Sequence, residues 1–110
     1  MTRKAIRRDA RIGQEPGNLY PNLDSLIGGW FHEDYRIDGE TLEQIIGSYK
    51  KVYPVQDCHG TRTDIKRFLE ARTDLQVKED FVRIFRPGVD PEAWGISTRQ
   101  WLLRIDELLR

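Results

Sequence analysis

A single cysteine, Cys58, occurs among the 110 residues, so no disulfide can form within the chain and the stapled scaffold of a small secreted module is excluded. Histidine is also scarce. His32 and His59 are the only two, with no H-x-x-x-H or C-x-x-C spacing, whereas a transition-metal site needs about three or four convergent ligands. No apolar run approaches the roughly 20 residues that a membrane-crossing helix requires. The stretch Thr2 to Gln14 carries no apolar core of a signal peptide. The phosphate loop G-x-x-x-x-G-K-[ST], the dinucleotide fingerprint G-x-G-x-x-G and the nucleophile elbow G-x-S-x-G are all missing. These absences predict a cytoplasmic protein that is not an enzyme, with no cofactor, no metal, no membrane association and no small-molecule substrate.

The apolar share is 38%, with three Trp, four Tyr and four Phe. That is enough to close one modest core in a chain of ordinary single-domain length. Net charge is zero but unevenly spread. Arg3, Lys4, Arg7, Arg8 and Arg11 outweigh Asp9 and Glu15 at the amino end, where no periodicity is visible. Residues 1–18 therefore read as a flexible basic arm, and 19–110 as the folded domain. Between Asp24 and Glu43 the balance reverses. Six carboxylates (Asp24, Glu33, Asp34, Asp38, Glu40, Glu43) accompany one basic residue, Arg36, a patch that suits a basic partner and repels nucleic acid.

Helical spacing dominates the folded part. Leu23, Leu26, Ile27, Trp30 and Phe31 recur at i, i+3, i+4, i+7 and i+8, with Asn22 or Asp24 available as a cap. Gly28 and Gly29 within this stripe each cost roughly 1 kcal/mol relative to alanine if helical. Asp38-Gly39 is a turn dipeptide, which puts His32, Glu33, Asp34 and Tyr35 on a connection. A second helix opens on a Thr41/Gln44 capping-box pair and carries Leu42, Ile45, Ile46 and Tyr49 to Lys50 and Lys51, before Pro54. Val52 to Gly60 reads as a loop with room for a short strand around Val52–Val55. A short third helix is expected from about Thr61, with Asp64 in its first turn and Ile65, Phe68 and Leu69 buried. A fourth covers Lys78–Phe85, ended by Arg86-Pro87-Gly88. After a loop from Val89 to Ile96, Ser97 and Gln100 form another capping box. The last helix, with Trp101, Leu102, Ile105, Leu108 and Leu109, is apolar on more than one face and should sit at the centre. The expected fold is all-α, a compact bundle of about five short helices.

Two constellations invite a chemical reading. His32, Glu33 and Asp34, with His59 as a further candidate, offer imidazole and carboxylate, and Cys58 adjoins His59. Neighbours in sequence rarely face each other in catalytic geometry, so a partly buried thiol beside a loop histidine is the plainer account. The arginines of the arm would suit phosphate, giving a small helical nucleic-acid-binding regulator as the competing function. Trp30 and Phe31 are expected to be core. Tyr35, set among carboxylates, is the better anchor for an interface.

Tyr20-Pro21-Asn22-Leu23, followed by Gly28-Gly29-Trp30-Phe31-His32-Glu33-Asp34-Tyr35, resembles the opening of immunity proteins of bacterial contact-dependent growth inhibition systems, in which an aromatic pair precedes His, any residue, Asp and an aromatic. The closing Gly95-Ile96-Ser97-Thr98-Arg99-Gln100-Trp101-Leu102 is similar to that family's final helix, and the likeness spans Tyr20 to Leu109. The resemblance implies a helical cytosolic protein encoded beside a large secreted toxin. It would bind the toxin's C-terminal domain, commonly a nuclease, as a heterodimer and inhibit it stoichiometrically. On that reading the toxin-binding residues are Glu33, Asp34, Tyr35, Asp38, Glu40 and Glu43, with no direct nucleic-acid contact. For Glu40 and Glu43, capping a helix start is an equally good explanation of the same charges.

Overall fold

The computed structural model describes residues 19–32, 36 and 39–110. Among them are five α-helices: α1 (Pro21–Trp30), α2 (Leu42–Val52), α3 (Val55–Glu70), α4 (Asp74–Phe85) and α5 (Thr98–Leu108), with a 3-10 turn at Pro91–Trp94 between the last two. The all-α bundle is as expected, and no strand occurs among the described residues. The expected basic arm 1–18 lies outside them.

Four of the five described helices begin where a side chain supplies an acceptor for the first N–H groups, and α3, entered through Pro54, is the exception. Ser97 and Gln100 make the full reciprocal box at the head of α5. Thr73 and Gln76 make the same box at α4, so that helix starts a turn earlier than its apolar spacing predicts. The Thr41 hydroxyl accepts from the Gln44 N–H at 3.1 Å, as expected of the pair at α2. The Gln44 side chain reaches one residue further back, however, and takes the Glu40 N–H at 2.8 Å.

The region Val52 to Gly60 corrects the expected loop. Only Tyr53 and Pro54 are extended, and α3 starts at Val55, with Asp57 rather than Asp64 in its first turn. Pro54 ends one helix and caps the next. Its fixed φ and missing N–H are harmless immediately before a helix, where no intrahelical donor is needed. Gly60 in mid-helix hid this continuation from propensity, and packing explains it. A Cβ there would stand 2.5 Å from the Asn22 amide, so the glycine lets α1 press against α3.

Asp64 takes the capping role for which Asn22 or Asp24 was expected. It is only 4% exposed, and its Oδ2 accepts from the N–H groups of Asn22 at 2.8 Å and Leu23 at 3.1 Å. Pro21 occupies the first helical position of α1, Tyr20 offers no side-chain cap, and Asp24 is itself buried. The amino end of α1 is therefore capped by a carboxylate from another helix, where the helix dipole also favours negative charge.

One core joins the helices. α5 packs against α2, α3, α4 and the 3-10 turn, the central place that its apolar sequence predicts. Trp101 is fully buried among Phe31, Phe81 and Trp94, with ring centroids 4.8, 5.7 and 6.3 Å away. Trp30 and Phe31 are buried as expected, at 8% and 0% exposure. Polar ties fasten the periphery. Arg72 lies over the Phe68 ring at 4.3 Å and donates to Asp80 at 2.8 Å and to the Tyr20 hydroxyl at 3.1 Å. Arg62 pairs with the buried Asp106 at 3.0 Å, joining α3 to α5. The Tyr49 hydroxyl meets Thr61 at 3.1 Å, and burial pushes its pKa up to about 12.

Candidate functional site

α2 turns Leu42, Ile45, Ile46 and Tyr49 into the core. The 3.6-residue period therefore sends Glu43, Gln44, Gly47 and Lys51 to the outside. Together with Arg36, Gly39, Glu40 and Ser48 these residues line an open cleft of about 500 Å³. Glu40 and Glu43, two of the six residues expected to bind a partner, are both exposed there. Glu33, Asp34, Tyr35 and Asp38 lie outside the described residues. Asp24, counted in the acidic stretch, belongs to the interior and adds nothing to this surface.

The surface is less uniformly acidic than its sequence implies. Glu43 accepts from Arg104 of α5 at 2.8 Å, and Arg104 also reaches Glu107 at 3.3 Å. Hydrogen bonding from that guanidinium holds the Glu43 carboxyl below the usual carboxylate range. Arg36 and Lys51 add positive charge at the cleft. Two carboxylates thus share one arginine, and α2 presents acid toward its start and base toward its end. Arg104 went unnoticed in the sequence because it lies 61 residues from Glu43, and no local pattern signals such a pairing.

Nothing in the sequence pattern singles out Gly47 either. It sits inside α2, where glycine costs roughly 1 kcal/mol relative to alanine. A Cβ added there would meet nothing within 4 Å among the described residues. Unlike Gly60, it has no packing reason within the described part of the molecule.

Of the two chemical constellations, only Cys58 and His59 lie wholly among the described residues, and those two are not brought together. Cys58 is buried, and burial pushes its thiol pKa up, whereas a nucleophilic cysteine needs a depressed one. His59 follows it on α3 but is exposed, because consecutive helical residues point about 100° apart. Cys58, His59, Lys50 and Arg62 border a small recess of about 150 Å³. His32 is not among the residues lining it, and Asp34 lies outside the described residues. No group of three or more His, Cys, Asp or Glu that could hold a metal ion occurs among the described residues. No helix there is long and apolar enough to cross a membrane.

Neither curated proteins nor solved structures return a match to this chain. A protein-family model does match: that of the CdiI immunity protein, over residues 19–109. The match takes in every described helix, the aromatic pair Trp30-Phe31 and the Ser97-capped final helix that carried the resemblance in the sequence. The chain belongs to the CdiI immunity protein family, and its role is immunity in contact-dependent growth inhibition.

Proposed function

We propose that the protein neutralises the C-terminal toxin domain of its cognate effector by forming a one-to-one complex in the cytosol of the producing cell. The binding surface in this reading is Glu33, Asp34, Tyr35, Asp38, Glu40 and Glu43, and it covers a cationic face of a nuclease domain that otherwise receives phosphate. Residues 1–18 form an arm apart from the binding domain 19–110. The observation that carries the proposal is the exposure of Glu40 and Glu43 on an open cleft at the start of α2, next to a connection rich in carboxylates. A group of carboxylates on a partner-facing surface, even with bases beside it, accelerates encounter with a cationic partner, toward about 10⁸ M⁻¹s⁻¹ at low salt. Dissociation is then set by buried anchors, a role for which Tyr35 is suited. A nanomolar complex corresponds to about −12 kcal/mol, most of which must come from such anchors because rim charges contribute little to dissociation.

The test is charge reversal at Asp34 and Glu40 together, followed by association kinetics with the purified C-terminal domain of the toxin encoded beside this protein. The double variant is expected to keep its helical circular dichroism, to associate at least about tenfold more slowly at low salt, and to leave cells sensitive to the toxin. Unchanged association would reject this surface.

A further inference from the structure

We infer that the outward face of α2 lies directly beneath the bound toxin domain, with Gly47 as the point where the two backbones come closest. This rests on the toxin-binding reading above and narrows it to one helix face and one kind of partner segment. Gly60 sets the comparison. In the same protein the mid-helix Gly60 faces a neighbouring helix: an added Cβ would stand 2.5 Å from the Asn22 side-chain amide, which would have to move aside. Gly47 has the same cost in helix propensity, yet nothing among the described residues lies within 4 Å of its Cβ position. Among the described residues no other helix covers its face, which opens into the cleft that Glu40, Glu43, Gln44, Ser48 and Lys51 also line. A close neighbour that arrives only on binding supplies the missing reason, since a residue without a side chain lets a partner's backbone approach closely.

The charges on the same face define that neighbour. Glu43, Gly47 and Lys51 follow at i, i+4 and i+8, so they form one row about 12 Å long. A carboxylate stands one turn before the glycine and an ammonium one turn after it. The complementary partner segment runs along α2 with a basic side chain near Glu43 and an acidic one near Lys51, and crosses Gly47 with its backbone or a small residue. The basic group would share Glu43 with Arg104, which already divides itself between two carboxylates.

The experiment compares wild type, Gly47→Ala, Gly47→Gln and Lys51→Glu for melting temperature and for affinity to the purified C-terminal domain of the toxin encoded alongside. Alanine is expected to raise the melting temperature by about 4 °C or more, while weakening toxin binding about tenfold. Glutamine, another good helix former, is expected to weaken binding about a hundredfold. Lys51→Glu should weaken binding about tenfold at low salt and less at high salt. Unchanged affinity in both glycine variants overturns the inference while leaving toxin binding itself intact. A fall in melting temperature for Gly47→Ala also overturns it, because the chain's own packing would then account for the glycine. Unchanged affinity in Lys51→Glu removes the charge order. Failure of wild type to bind the domain at all brings down the proposed function and this inference with it.

Discussion

Removing the Asp64 carboxylate should loosen the amino end of α1 more than any surface change on that helix. Asp64→Ala deprives the Asn22 and Leu23 N–H groups of their shared acceptor, at 2.8 and 3.1 Å. The site is mostly shielded from solvent, with Asp64 4% exposed, Leu23 fully buried and Asn22 partly buried. Losing a helix cap costs about 0.5–2 kcal/mol, and leaving a buried donor unsatisfied costs about 1–3 kcal/mol. The two descriptions overlap, and a combined loss of about 2–3 kcal/mol is expected. Set against a total stability of about 5–15 kcal/mol, the variant still folds. Its melting temperature should drop by roughly 10–20 °C. Asp64→Asn keeps an acceptor oxygen but loses the charge that complements the helix dipole, so it should cost about 1 kcal/mol. Urea unfolding followed by tryptophan fluorescence measures both, with an unchanged m-value as evidence that the unfolded state is the same. An alanine variant within about 0.5 kcal/mol of wild type, which is the usual size of a neutral surface change, would refute the capping argument. So would an asparagine variant as damaged as the alanine.

Acid should release a second tie. Hydrogen bonding from Arg72, helped by Arg83, holds the Asp80 carboxyl below its ordinary value of 3.8. Its folded pKa being the lower one, its contribution is complete above the unfolded value and disappears as pH falls through the folded one. Stability measured from pH 6 downward should therefore decline below about pH 4, and Asp80→Asn should flatten that part of the curve. A variant with the same acid limb as wild type would dismiss the pair as a contributor. Cys58, buried and with its thiol pushed up, should react with a disulfide reagent at neutral pH at least about a hundredfold more slowly than in the urea-unfolded chain. Rapid modification of the folded protein would contradict its placement.

How far local pattern reaches is clearest at the helix starts. Ser97 and Gln100 stand in the spacing that satisfies two orphan donors within four residues, so the head of α5 was readable and the structure has it. Thr73 and Gln76 stand in that same spacing, but the apolar repeat from Phe81 to Phe85 predicts a start at Lys78, four residues after the observed one. At α3 the error was larger. Pro54 and Gly60 look like breaks when each is weighed by propensity, although one precedes the helix and the other receives α1.

The candidate surface divides in a similar way. Exposure of Glu40 and Glu43 follows from the apolar period of α2, which leaves those positions outside. Their electrostatic setting does not follow, because Arg104 reaches Glu43 from another helix and Asp24 turns into the core.

By itself the sequence determined that the chain is helical, where most of its apolar stripes lie, and which family it resembles, because periodicity and capping are short-range and are written in neighbouring residues. Only the tertiary structure decided that Asp64 caps α1 from 41 residues away, that Gly60 is a contact while Gly47 is bare among the described residues, and that Arg104 answers Glu43. Each of those facts depends on which helices meet and at what separation, and that is settled by how all the side chains fill one core together.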